Sequence, residues 1–169
     1  MNQNKKLKAE DLEDGSLLKN ALKMLHLNPT EEQYFETARL LRDSMVWIPY
    51  NAVMSEEDLD QVENLINETN GHPENIVGTT IQTKAKIRMI PDILKRGDLF
   101  YFPVFTSVEE MGEYGDHFSK FQQDFLVAIN LAKNNANNVV GIVVNPFSAP
   151  HVVERDIFDV IKNIPSRLV

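Results

Sequence analysis

"GIVVNPFSAPHVVERDIFDVI", residues 141–161, is the stretch on which the fold turns. Gly141 to Val144, with Val139 and Val140 before them, form a short continuous apolar run, as a buried strand does. The run closes on Asn145 and Pro146, crosses a loop stiffened by Pro150, and passes His151 and the charged residues Glu154, Arg155 and Asp156. Ile157, Val160, Ile161 and Ile164 then recur at helical spacing and predict a terminal helix with those side chains inward. A strand end beside a helix start is where open α/β sheets often bind ligands, and a helix amino end holds anions on its free N–H groups. One reading of the polar residues makes His151 a general base oriented by Glu154 or Asp156. The simpler reading is turn chemistry at Asn145 and Pro146, with acidic residues favouring the amino end of the helix. No further catalytic partner has a spacing that fixes it nearby, so the simpler reading leads.

Working back toward the amino terminus, Phe118, Phe121, Phe125, Ala128, Ile129 and Ala132 follow a helical period. Phe118 and Phe121 equally suit a short strand before that helix. Ser107 with Glu110 forms a capping box for a short helix that Gly112 and Gly115 stop. "LFYFPVFTS", residues 99–107, is apolar on both faces, as in a central strand, although Pro103 cannot donate to a ladder. Before it, Arg96-Gly97-Asp98 reads as a hairpin turn, despite spelling an integrin tripeptide. "IQTKAKIRMI", residues 81–90, alternates: Ile81, Thr83, Ala85, Ile87 and Met89 on one side, Gln82, Lys84, Lys86 and Arg88 on the other. That pattern predicts a half-exposed antiparallel strand.

Residues 55–75 predict a helix with Leu59, Val62, Leu65 and Ile66 on one face, ended by Gly71 and Pro73. It carries many carboxylates and no Lys or Arg, so Glu56, Glu57, Asp60 and Glu63 form a candidate acidic docking surface. The basic face of residues 82–88 is opposite in sign, and the simpler expectation is that the two segments lie against each other. "MVWIPYN", residues 45–51, reads as the first strand. The first helices are predicted from Leu17, Leu18, Ala21, Leu22 and Leu25, and from Tyr34, Phe35, Ala38 and Leu41. Thr30 and Gln33 supply a capping box between them, and the short join through Asn28 and Pro29 makes a helical hairpin. Residues 1–15 read as a flexible polar tail.

The chain of 169 residues, 43% hydrophobic and 25% charged, is expected to be a single soluble domain over residues 16–169. It contains no cysteine, which removes disulfides and thiolate chemistry and suits a reducing compartment. The amino terminus lacks the apolar segment of a secretory signal, and no run approaches a membrane span. A net charge of −8 argues against nucleic acid or an anionic membrane as the main partner. His26, His72, His117 and His151 stand singly, outside any zinc motif, and "EEDLD" lacks the glycine of a calcium loop. No metal or cofactor is expected. Serines 107, 119 and 148 have no nucleophile-elbow context, and Gly78 stands in no phosphate-binding pattern. Helices and strands mix without strict βαβ alternation. The expected class is α+β: a mixed, largely antiparallel sheet flanked by helices, with an N-terminal helical hairpin.

"LFYFPVFTSVEEM" and "GIVVNPFSAPHVVERDIFDVI", in this order, resemble the amino-terminal domain of the SseB family, named for enhanced serine sensitivity. "NALKMLHLNPTEEQYFETARLLRDSMVWIPY" is similar to the family's opening, and the likeness runs from about residue 17 to 164. The resemblance implies that His117 to Phe121 is a strand with the helix starting near Gln122. It also implies a short strand after Asn145-Pro146-Phe147, and that this turn is a fold signature, since the family offers no catalytic residues to transfer. The acidic helix at 55–68 is longer than the family's usual connection. The functional expectation is a cytoplasmic, non-catalytic domain that binds another protein. The alternative is a small-molecule or anion site, hydrolytic in its extreme form, at the turn of Asn145, Pro146, Phe147, His151, Glu154 and Asp156. Pairing between copies of the chain is a third option.

Overall fold

A computed structural model describes residues 7–68, 80 and 82–169. The helices and strands in chain order are α1 (Ser16–Leu27), α2 (Glu31–Asp43), β1 (Met45–Val53), α3 (Glu56–Glu68), β2 (Arg88–Pro91), β3 (Leu94–Arg96) and β4 (Leu99–Val104). They continue with β5 (Ser119–Asp124), α4 (Phe125–Lys133), β6 (Gly141–Val144), β7 (His151–Glu154) and α5 (Phe158–Asn163). The class is α+β, as expected, and α1 with α2 forms the N-terminal helical pair. The strands divide between two sheets, in the orders β2-β1-β5 and β3-β4-β6-β7. Pairing is antiparallel for β1–β5, β3–β4 and β6–β7, and parallel for β4–β6. Gly71, His72, Pro73, Glu74, Gly78 and Ile81 lie outside the described residues.

The chain divides into two compact units, one of residues 1–50 with 91–169, the other Asn51–Ile90. In the first, Phe102, Val104, Ile142 and Val144 from the four-stranded sheet meet Phe125, Ile129 and Phe158 from α4 and α5 in one apolar core. Leu7 and Leu12, within the segment expected as a tail, belong to the same core, and Leu7 bridges Leu168. Thr30 caps α2 by accepting the Gln33 N–H at 3.2 Å. Gly15 caps α1 at φ 70°, where an added Cβ would stand 2.1 Å from the Thr106 carbonyl oxygen. Only glycine fits both the left-handed backbone and that close approach.

Pro103 is tolerated inside the central strand for a local reason. Pairing of β4 with β3 ends at Tyr101, and Phe105 then exchanges backbone hydrogen bonds with Trp47 of β1. Between those two positions no ladder bond requires the missing N–H. The Arg96–Leu99 register leaves Gly97 and Asp98 as a two-residue hairpin loop, with Gly97 at φ 60°. Ser119–Asp124 is a strand, as the resemblance implied, but it runs three residues further than expected and α4 starts at Phe125. Pairing with Met45–Tyr50 of β1 holds that extension. The Ser107–Glu110 capping box does not form. Residues Glu109–His117 make a 3-10 helix kinked at Gly112, and Glu110 is taken up by Lys19 and Ser148 instead.

In the second unit, Ser55 opens α3 by accepting the Asp58 N–H at 3.3 Å. Asp58 in turn accepts the backbone N–H groups of Lys84, at 2.7 Å, and Ala85, at 3.3 Å. The strand expected over residues 81–90 is therefore reduced to Arg88–Pro91: an aspartate, not a neighbouring strand, takes the amides at its centre. Its apolar face is uncovered, with Ile87 at 42% and Met89 at 36% exposure. Lys84 also reaches Glu57 at 3.5 Å, so the basic segment and the acidic helix do lie against each other.

Candidate functional site

The turn after β6 is held from inside. Asn145 takes a left-handed backbone at φ 49°, which its short amide side chain tolerates better than most residues do. Its side-chain Oδ1 accepts the Thr106 N–H at 2.9 Å, and its Nδ2 donates to the Thr106 hydroxyl at 3.0 Å. Both residues are buried. Both ends of the amide thus take part in tying the end of β6 to the end of β4. Phe147, exposed on one side, packs against Phe105 and Tyr114, and Ser148 donates to Glu110. Burial and the neighbouring Asp92 carboxylate push the Tyr114 hydroxyl far above its usual range, so it stays a neutral donor to Asp92.

A strand, not a helix, follows this turn. The six residues expected as one binding site are therefore split along β7 and beyond it. Asn145, Pro146 and Phe147 stay at the turn, His151 and Glu154 stand at the two ends of β7, and Asp156 is exposed in the 3-10 turn after it. No hydrogen bond joins His151 to Glu154 or Asp156 among the described residues. His151 meets the ring of His26, at the end of α1, with centroids 5.8 Å apart. Burial, and then repulsion from His26, hold the His151 imidazole below the usual histidine range.

Beside β7 lies a groove that helical periodicity does not reveal. It has a volume of about 590 Å³ and is walled by α2, β7 and α5. Tyr34, Phe35 and Ala38, part of the apolar stripe of α2, line one wall, and Tyr34 and Phe35 are 56% and 54% exposed. Ile157 and Val160, expected inward on the last helix, line another, with Val160 57% exposed. Leu41, Ile161 and Ile164 lie deeper and are buried. Both helices carry more apolar residues than one face can hide, which is the signal that periodicity alone does not sort. The charged residues lining the groove are Glu31 and Glu154, with His151 at one end, and neither glutamate has an ion-pair partner among the described residues. The Thr37 hydroxyl, also in the lining, is buried with no hydrogen-bond partner among them.

On α3, Glu56, Glu57, Asp60 and Glu63 are all exposed, and Glu57 is the one paired with Lys84. Among the described residues no three His, Cys, Asp or Glu side chains gather as metal ligands do, and no helix is long and apolar enough to cross a membrane.

The model of the SseB protein N-terminal domain matches residues 18–156, most of the chain, and the chain belongs to that family. No curated protein and no solved structure matches it.

Proposed function

We propose that this SseB-family domain is a cytosolic protein-binding module that works without turnover, and that its docking face is the groove between α2, β7 and α5. The observation that carries the reading is the exposed apolar lining of that groove. Tyr34, Phe35, Val152, Ile157 and Val160 gather in one concave patch, and contiguous apolar surface of that kind marks interaction sites. Aromatic anchors in a concave, mostly apolar setting are also what concentrates binding energy in protein interfaces. The turn at Asn145 is a poorer candidate for ligand chemistry, because both ends of its amide bond to Thr106. The acidic face of α3 is the competing docking surface, with Glu56, Asp60 and Glu63 exposed.

Affinity capture from a native lysate, at low and high salt, separates the two surfaces. Phe35→Ser with Val160→Ser is expected to release the partner, while lysine at positions 56, 57 and 60 leaves it bound. Loss of the partner only in the lysine variant moves the docking face to α3.

A further inference from the structure

We infer that the groove takes an extended peptide segment, which adds as a strand to the open edge of β7, with apolar side chains at alternate positions and lysine or arginine at its ends. This rests on the groove being the docking face, and it names what docks there.

β7 ends its sheet, so one side of it has no strand partner among the described residues. Arg155 donates its N–H to the Val140 carbonyl on the β6 side. By the two-residue alternation of a strand, Val153 and His151 face β6 as well, whereas Val152 and Glu154 turn their N–H and C=O groups to the open edge. All four β7 residues line the groove, which is the geometry of a cleft running along a strand edge with α2 across from it. Strand addition uses such an edge: main-chain hydrogen bonds supply affinity and pockets for alternate side chains supply selectivity.

Proteins blunt edge strands with charged side chains, lysine above all, and with proline. Among the described strands, β2 carries Arg88 and Pro91, β3 carries Lys95 and Arg96, and β5 carries Lys120. β7, His-Val-Val-Glu, carries none of these. Of these four edges β7 alone lacks lysine, arginine and proline, its one charge being Glu154 at its end, and it borders the exposed apolar groove.

Charge decides the flanks. Glu31 and Glu154 are carboxylates of the groove lining with no ion-pair partner among the described residues, so a cationic end on the incoming segment gains at both and an acidic end is repelled. The span of β7 accommodates about four residues, or about 13 Å of extended chain.

The test uses a synthetic peptide library on the whole chain, with Val, Ile, Leu or Phe at alternate positions, Ser or Thr between them, and Lys at both ends. A second library of the same composition places the apolar residues at helical spacing. The first library is expected to yield binders. N-methylation of a binder's edge-facing amides, or Val152→Pro in the protein, should weaken binding about tenfold, the loss of one or two hydrogen bonds. Glu31→Gln with Glu154→Gln should weaken it several-fold and flatten its salt dependence. Binders from the helical library whose affinity Val152→Pro leaves unchanged overturn the strand inference and leave the groove as the docking face. Retention of neither library up to about 1 mM overturns it too, and the capture experiment then judges the groove on its own. Concentration-dependent pairing of the chain that Val152→Pro abolishes puts a second copy on the edge and also overturns it.

Discussion

Asn145 shows how much one residue of the turn holds. Its left-handed backbone and its hydrogen bonds to Thr106 join the ends of β4 and β6, deep in the molecule. Asn145→Ala removes the bonds, strands the buried Thr106 N–H and leaves a side chain that resists positive φ, so it should cost about 2–3 kcal/mol in urea denaturation. Asn145→Gly keeps the backbone free and should be milder by about 1 kcal/mol. Equal losses in the two variants refute the backbone part of this account. His151 offers a second test at the same scale. Because burial and His26 lower its pKa in the fold, the unfolded chain binds that proton at higher pH than the folded one. The stabilising effect of keeping it neutral is complete above the ordinary histidine range, and stability falls as pH drops below about 6.5 toward the folded value. His151→Gln should flatten that decline in a series of denaturation midpoints. An unchanged slope excludes His151 as its source.

At the scale of elements, α3 and the basic segment after it are joined by a carboxylate that takes two backbone amides. Hydrogen bonds from Lys84, then Ser55, hold the Asp58 carboxyl below the usual range, so it is ionised and accepting at neutral pH. Asp58→Ala should raise amide exchange at Lys84 and Ala85 by at least about tenfold, with little change at β4 or β6. Unchanged exchange at those two amides contradicts the clamp. The strict alternation of residues 81–90 was misleading for the same reason: alternation reports a strand only where a neighbour completes the ladder, and an aspartate from α3 intervened. Apolar spacing on α2 and α5 was read correctly as helical, yet not as two-faced. Leu40, Leu41, Phe158 and Ile161 go to the core, while Tyr34, Phe35, Ile157 and Val160 remain outside it. Sequence shows how many apolar residues a helix has, and only the packing of its neighbours decides which of them are covered. The helical pair, the central strand around Pro103 and the turn at Asn145 were legible because each has its own local chemistry. β7 was visible only through the family resemblance, since four residues beginning with His carry no pattern of their own.

Taken as a whole molecule, this SseB-family chain offers a partner two surfaces of different character: an acidic helix face and an apolar groove beside an open strand edge. Net charge of −8 favours cationic partners at both, so low salt alone cannot tell them apart. Covering them does. Hydrogen–deuterium exchange on the intact chain, with and without the partner retained in the capture, reads the answer directly. Slowed exchange is expected at Val152 and Glu154 and along residues 34–41 of α2, with residues 56–63 unchanged. Slowing confined to residues 56–63, with β7 and α2 exchanging as in the free protein, would contradict it.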